Sequence, residues 1–199
     1  MPTENCSLRA RRGVLSVGRM NRAAPIRNLA LIGFMGTGKS SVGRLVAAQL
    51  QFAFVDTDQL IEERAGRSIS QIFADDGEPA FRALEQEVVQ SLAGLDRTVI
   101  ATGGGLGANP ENLARLKEHA LVVCLWASPA TIFERVGHQT HRPLLQQPDP
   151  ETKIRALLAE REAVYKQADA LVSSDCRSCK EVAQHVLHQF SIVREQNAR

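Results

Sequence analysis

Short apolar runs alternate with amphipathic segments along the chain from residue 28 onward. Short runs bounded by turn-forming residues are typical of buried strands, and the longer segments between them show helical spacing. Five runs are predicted to be strands: LALIG at 29–33, AFVDTD at 53–58, TVIATGG at 98–104, LVVCLWA at 121–127 and ALVSS at 170–174. Strands that alternate with helices predict an α/β fold in which helices wrap a parallel sheet.

Three of the predicted helices have recognisable first residues. Ser68 in SISQ offers a capping side chain, and Pro110 follows Asn109 at a first helical position. Pro150 follows Asp149 in the same way. The polar stretch GHQTHRPLLQQPDP separates the helix in SPATIFERV from the helix in ETKIRALL. A polar loop of this length in a compact domain is either disordered or a functional lid.

Length and charge divide the chain into three parts. With 199 residues and 44% hydrophobic content it can bury one compact core, which we place at 28–190, between an N-terminal extension (1–27) and a C-terminal tail (191–199). Six arginines and a single acidic residue lie in 1–28, so the rest of the chain is net negative although the whole carries +2. We expect the basic extension to be disordered, with an organelle transit peptide as the alternative.

Composition also argues against several classes of protein. No run approaches the roughly 18 apolar residues that a membrane span needs, which predicts a soluble, cytoplasmic chain with no membrane partner. The domain is not basic and shows no nucleic-acid motif, so we expect no nucleic-acid partner. Cys124 lies in a strand-like run and is expected in the core. Cys176 and Cys179 form one C-x-x-C pair, which without a second pair favours neither a zinc site nor redox chemistry.

The stretch GFMGTGKS, at residues 33–40, fits the phosphate-binding pattern G-x-x-x-x-G-K-[ST]. It follows a predicted strand and precedes the helical segment SSVGRLVAAQL, which is the context that this pattern requires. Its glycines let backbone N–H groups surround phosphate oxygens. Lys39 would reach the β and γ phosphates, and the Ser40 hydroxyl would ligate Mg²⁺. The sequence therefore predicts a nucleoside triphosphate site.

The rest of the chain narrows the class of nucleotide-binding protein. A GTPase would carry an N-K-x-D tetrad, which is absent, and a motor ATPase would carry an acidic residue after an apolar strand, where VVCLWAS has none. A small-molecule kinase remains. Asp56 and Asp58 in FVDTD suit its chemistry, because strand alternation would place both on one side, one facing metal and the other facing the acceptor.

Six motifs follow one another in the order and approximate spacing of one known family: GFMGTGKSSVGR, DTD, GRSISQIFADDGEPAFRALE, TGGG, HRPLL and LLAEREAVY. Over about residues 29–190 the chain resembles the shikimate kinases. The resemblance implies a P-loop NTPase fold of the nucleoside-monophosphate-kinase type, with a five-stranded parallel sheet flanked by helices and a lid loop. It also implies a monomer that uses ATP and Mg²⁺ to phosphorylate the 3-hydroxyl of shikimate, a step in chorismate and aromatic amino acid biosynthesis.

The resemblance implies roles for residues around the acceptor. Asp58 would hold the shikimate hydroxyls and act as the general base, while Asp56, with Ser40, would place Mg²⁺. Arg82 and Arg161 would clamp the carboxylate. The other acceptor-binding residues would be Glu85, Gly103, Gly104 and Gly105.

A second set of residues is implied for the nucleotide. Lys39 and Arg142, the latter from the lid, would neutralise charge on the transferred group. Arg135 and Arg177 would flank adenine, although SSDCRSCKE departs from the TNRRxP-like stretch of the family and leaves the second assignment open. The full ATP-binding set would be Gly36, Thr37, Gly38, Lys39, Ser40, Ser41, Arg135, Arg142 and Arg177.

Two alternative functions stay open at this point. Another small-molecule kinase, such as gluconate kinase, shares the P-loop but is not expected to carry DTD, GEPAFR, GGG and RPLL together. A kinase-like binding module that has lost catalysis is the other alternative. The presence of Lys39, Ser40, Asp56 and Asp58 argues against it.

Overall fold

The computed structural model describes residues 26–137 and 149–197, which form a single α/β domain around one sheet. All strand pairs in the sheet are parallel, and the strand order is β2-β3-β1-β4-β5. The strands are β1 (Asn28–Ile32), β2 (Ala53–Asp56), β3 (Thr98–Ala101), β4 (Ala120–Trp126) and β5 (Ala170–Ser173). Each falls within or next to one of the five predicted runs, so the predicted parallel sheet is confirmed.

Eight α-helices occur within the described residues. They are α1 (Lys39–Leu50), α2 (Thr57–Ala65), α3 (Ile69–Asp75), α4 (Gly77–Leu92), α5 (Pro110–His119), α6 (Pro129–Val136), α7 (Pro150–Tyr165) and α8 (Cys179–Asn197). The three predicted helix starts are confirmed. Ser68 forms a capping box with Gln71, and the side chains of Asn109 and Asp149 accept hydrogen bonds from backbone N–H groups in the first turns of α5 and α7.

The hydrophobic core lies on both faces of the sheet, as a parallel sheet requires. Alternate residues of β1 point to opposite faces: Leu29 and Leu31 pack with α1 and α8, whereas Ala30 and Ile32 pack with α4, α5 and α7. Cys124 of β4 is buried, as expected, and burial raises the pKa of its thiol to about 12. A thiol that stays protonated among apolar side chains is a core residue.

Two predicted boundaries differ from the structure. Strand β2 ends at Asp56, which caps α2, so Asp58 lies in the first turn of a helix and not on the strand. The two carboxylates nevertheless line the same cleft, as expected. The capping carboxylate accepts a hydrogen bond from the backbone N–H of Asp58 and starts the helix one residue later. At the other end, α8 continues past residue 190, where we placed the end of the domain, and Val193 is buried in the core.

Residues 1–25 of the predicted extension and residues 138–148 of the predicted lid lie outside the described residues. Arg142 is therefore not placed. Among the described helices, none has both the length and the apolar character needed to cross a membrane. The segments that follow β1, β2 and β3 all start at the carboxyl edge of the sheet, which is where doubly wound sheets bind ligands.

Candidate active site

The P-loop (residues 33–40) joins β1 to α1 at the carboxyl edge of the sheet. Its path depends on glycine: Gly33 has a φ of 136°, and a Cβ there would collide with the carbonyl oxygen of Leu125. The side-chain Nζ of Lys39 is buried and donates hydrogen bonds to the carbonyl oxygens of Gly33 and Phe34, each at 2.9 Å. The ammonium group is thus held inside the curve of the loop.

Two carboxylates face the P-loop from the junction of β2 and α2. The Ser40 hydroxyl donates to Asp56 Oδ2 at 2.7 Å, which links the start of α1 to the start of α2. Asp58 lies beside Asp56 and lines the same cleft as Lys39 and Ser40. We call this the P-loop cleft; it has a volume of about 220 Å³, and its wall is completed by Thr102, Gly104 and Arg135.

A second cavity, of about 360 Å³, lies next to the P-loop cleft and contains two arginines, so we call it the arginine pocket. Arg82, from α4, donates to Glu85 Oε2 at 2.6 Å and to Glu78 Oε1 at 2.7 Å. Burial lowers the pKa of Arg82, but these hydrogen bonds outweigh burial and raise it overall, so the guanidinium stays charged. Glu85 is only 2% exposed, and burial raises the pKa of its carboxyl group against the opposing effect of Arg82.

The other arginine of the arginine pocket comes from α7. Arg161 Nη1 donates to the carbonyl oxygen of Gly104 at 3.2 Å, and its guanidinium lies 5.4 Å from the centre of the Phe34 ring. Tyr165, one turn further along α7, donates from its hydroxyl to the same Gly104 oxygen at 3.2 Å. Burial raises the pKa of Tyr165 to about 12, which keeps its hydroxyl protonated as a donor.

The glycine turn (residues 103–105) connects the two cavities. Gly104 lines the P-loop cleft, and Gly105 lines the arginine pocket. A Cβ at Gly103 would collide with the carboxylate of Asp58, and a Cβ at Gly105 would lie 2.5 Å from Arg82 Nη1. Only a backbone without side chains lets these groups approach it so closely.

A family model described as "Shikimate kinase" matches residues 35–191. The chain belongs to the shikimate kinase family.

Individual members of the shikimate kinase family support this assignment. A shikimate kinase from Thermodesulfovibrio yellowstonii is 45% identical over 165 residues, which cover 83% of this chain and 95% of that protein. The structure of shikimate kinase from Acinetobacter baumannii in complex with shikimate superposes with a TM-score of 0.80 at 34% identity, covering 84% of this chain and 94% of that one. A gluconokinase from Sinorhizobium meliloti, at 19% identity and a TM-score of 0.56, shares the fold alone.

The family residues predicted for the nucleotide fall into two groups. Lys39, Ser40, Ser41 and Arg135 line the P-loop cleft together with Gly36 and Gly38. The buried side chain of Thr37 instead donates to the carbonyl oxygen of Phe34 at 2.8 Å and so supports the loop from behind.

The two arginines predicted to flank adenine lie in different places. Arg135 of α6 donates to the carbonyl oxygen of Gly36 at 3.2 Å and to that of Ser174 at 2.7 Å, so it ties the P-loop to the end of β5. Arg177 follows β5 and donates to the carbonyl oxygen of Ser173 at 2.7 Å, away from the lining of the P-loop cleft. Its adenine contact stays a prediction.

Sequence reasoning missed residues that support this family site. Thr57 is fully buried, and its hydroxyl oxygen accepts a hydrogen bond from the Gly103 N–H at 2.8 Å. Tyr165 follows Arg161 at a spacing of four residues, which puts both on one helix face and could have marked the tyrosine as a site residue. No local signal marks Thr57, because its partner lies 46 residues away in the sequence.

Proposed function

We propose that the chain transfers the γ-phosphoryl group of ATP to the 3-hydroxyl of shikimate, giving shikimate 3-phosphate and ADP. One observation carries the proposal: Asp58 lines the P-loop cleft with Lys39 while it abuts the glycine turn that also borders the arginine pocket. A phosphate site and a carboxylate site therefore open beside each other with a candidate base between them. Such an arrangement positions two substrates for direct transfer.

The P-loop cleft would take the triphosphate of ATP. Backbone N–H groups at the start of α1 and the Lys39 ammonium would meet the phosphate oxygens. Lys39 now donates to backbone carbonyls, and the same donors would turn to the β and γ phosphates. Arg135 borders the cleft beyond the loop and would lie beside the nucleoside, with Arg177 as its proposed partner on adenine.

The residues beside the P-loop fit Mg²⁺. Ser40 and Asp56 offer hydroxyl and carboxylate oxygens 2.7 Å apart, which are the hard ligands that Mg²⁺ prefers. Within residues 26–137 and 149–197 there is no cluster of three or more His, Cys, Asp or Glu side chains that could cage a metal, and Mg²⁺ usually binds through one or two protein groups and the phosphates of the substrate. When bound there, Mg²⁺ would neutralise charge on the phosphates.

The arginine pocket would take the acceptor. A planar guanidinium suits a carboxylate because it can donate two parallel hydrogen bonds, and Arg82 and Arg161 approach the pocket from different helices. Glu85 would hold Arg82 in place. Asp58 would accept the proton of the 3-hydroxyl as that oxygen attacks the γ phosphorus, and Arg142 would close from the lid to exclude water.

A coupled assay of ADP release tests this function. Shikimate at saturating ATP and Mg²⁺ is expected to give turnover on the order of 1 to 100 per second, as is common for kinases. Gluconate in its place is expected to leave ADP release at the level of acceptor-free controls. Nucleotide hydrolysis that does not depend on shikimate, or none with any acceptor, would reject the proposal.

We also propose that the enzyme acts as a monomer in the cytoplasm, without a nucleic-acid or membrane partner. The net negative charge of the chain beyond residue 28 supports the absence of a nucleic-acid partner. Sedimentation of the purified full-length chain, with and without ATP, tests the monomer. Fractionation of cells that express the native gene tests the location.

A further inference from the structure

The glycine turn is held from outside by two hydroxyl groups. On one side, the Gly103 N–H donates to Thr57 Oγ1 at 2.8 Å, and both residues are buried. On the other side, the Gly104 carbonyl oxygen accepts from Tyr165 Oη at 3.2 Å. Thr57 belongs to α2 and Tyr165 to α7, so the turn is fixed between two helices that are far apart in the sequence.

The position of the turn decides how much room the reacting groups have. Asp58 and Arg82 both lie so close to the turn that a single added carbon would collide with them. Arg161 donates directly to the Gly104 carbonyl oxygen. Because protein interiors are closely packed, a shift of the turn by a fraction of an ångström is expected to displace these side chains first.

We propose that Thr57 and Tyr165 are positioning residues that fix the glycine turn and so set the affinity for the acceptor while leaving nucleotide binding unchanged. Neither hydroxyl lines the P-loop cleft or the arginine pocket, so both act through the turn. The identity of the acceptor as shikimate rests on the proposed function. The hydrogen bonds themselves do not depend on it.

The contacts of the P-loop explain why the nucleotide is expected to be spared. Thr102, just before the turn, donates from its N–H and its hydroxyl to the Leu31 carbonyl oxygen at 3.0 and 3.1 Å, which anchors this end to β1. Lys39 is bonded within the P-loop, and Ser40 is bonded to Asp56. The bonds of Thr57 and Tyr165 hold Gly103 and Gly104, which follow that anchor along the chain.

Thr57→Val and Thr57→Ser form a matched pair for the test. Valine keeps the shape and removes the acceptor of the Gly103 N–H, whereas serine keeps the hydroxyl and loses only a methyl group. Leaving a buried N–H unpaired is expected to raise the KM for shikimate about 10-fold in Thr57→Val. Thr57→Ser is expected to stay within about 3-fold of wild type, and the KM for ATP is expected to stay unchanged in both.

Tyr165→Phe tests the second hydroxyl without removing the ring. It is expected to raise the KM for shikimate by about 3- to 10-fold at an unchanged KM for ATP, because Gly104 keeps Arg161 as a donor. A thermal unfolding curve for each variant checks that the fold is retained. Equal changes in both KM values, or identical behaviour of Thr57→Val and Thr57→Ser, would overturn the inference.

Amide hydrogen exchange separates this inference from the proposed function. The Gly103 N–H is expected to exchange about 10-fold faster in Thr57→Val than in wild type or Thr57→Ser, whatever the acceptor. Wild-type protein that does not phosphorylate shikimate rejects the proposed function alone. Faster exchange in Thr57→Val together with an unchanged KM for shikimate rejects the positioning role alone.

Discussion

In the P-loop cleft, Lys39 and Arg135 donate to backbone carbonyl oxygens, whereas in the arginine pocket Arg82 donates to the carboxylates of Glu78 and Glu85. Backbone carbonyl groups do not titrate, so the support that they give is the same at every pH. A guanidinium held by carboxylates loses part of its support when one of them is protonated or replaced. We therefore expect the P-loop cleft to lose activity only when residues that line it are replaced. The arginine pocket is expected to lose activity also when the glutamates that hold Arg82 are replaced.

The largest effect is expected on the P-loop side. Lys39→Ala is expected to reduce turnover by at least about 1,000-fold, because it removes the cation that meets charge on the transferred phosphoryl group. Lys180→Ala, at an exposed position of α8, is the matched control and is expected to retain wild-type turnover. The coupled assay measures both. Robust turnover in Lys39→Ala would contradict the role of Lys39 in phosphoryl transfer.

Asp58→Asn is expected to have the next largest effect on turnover, since Asp58 lies between the P-loop cleft and the arginine pocket. Loss of a general base is expected to lower kcat about 100- to 1,000-fold with little change in the KM for ATP. Asp96→Asn, an exposed aspartate just before β3, serves as the control and is expected to behave like wild type. An unchanged kcat in Asp58→Asn would contradict its role.

Arg161→Ala tests most directly whether the P-loop cleft and the arginine pocket bind different substrates. The variant loses a charge-assisted hydrogen bond worth about 1.5 to 3 kcal/mol. This loss is expected to raise the KM for shikimate roughly 10- to 100-fold. The KM for ATP is expected to stay the same. Arg155→Ala, on the same helix with an exposed ion pair to Glu151, is the control. Equal losses for both substrates in Arg161→Ala would show that the arginine pocket and the P-loop cleft are not separate sites.

The smallest effect concerns the pH dependence of stability. Burial raises the pKa of Glu85, so the folded protein keeps this proton at pH values where the unfolded chain has released it. The stability linked to Glu85 is therefore fully present below its ordinary pKa of 4.5 and is lost as pH rises through the higher folded pKa. Glu85→Gln is expected to remove this contribution to the pH dependence of the free energy of unfolding. Urea unfolding of both proteins at pH steps from 4.5 to neutrality measures it, and parallel curves would contradict the expectation.

Most of the fold could be predicted from local patterns. The five strands are nearly continuous apolar runs because both faces of the sheet are covered, and Ser68, Asn109 and Asp149 cap helices with side chains that the sequence displays. The order of the strands could not be obtained in this way. It depends on which runs pair across long separations, and only the structure shows that order.

The site was predicted less completely than the fold, for physical reasons. Asp58 was assigned to a strand and lies in a helix, because Asp56 could either continue the strand or cap a helix, and the cap prevailed. Thr57 and Tyr165 were missed because their partners are backbone atoms 46 and 61 residues away. Hydrogen bonds of this kind leave no periodic trace in the sequence.

Strand β2 lies at one border of the sheet and pairs only with β3 among the described strands. The segment from Thr57 to Leu92 is the connection between this strand and β3. It is continuous in sequence and carries Asp58, Arg82 and Glu85. A connection that follows an edge strand can change in evolution without changing the pairing of the central strands that support the P-loop. The same phosphate-handling framework could thereby be paired with receptors for chemically different alcohols.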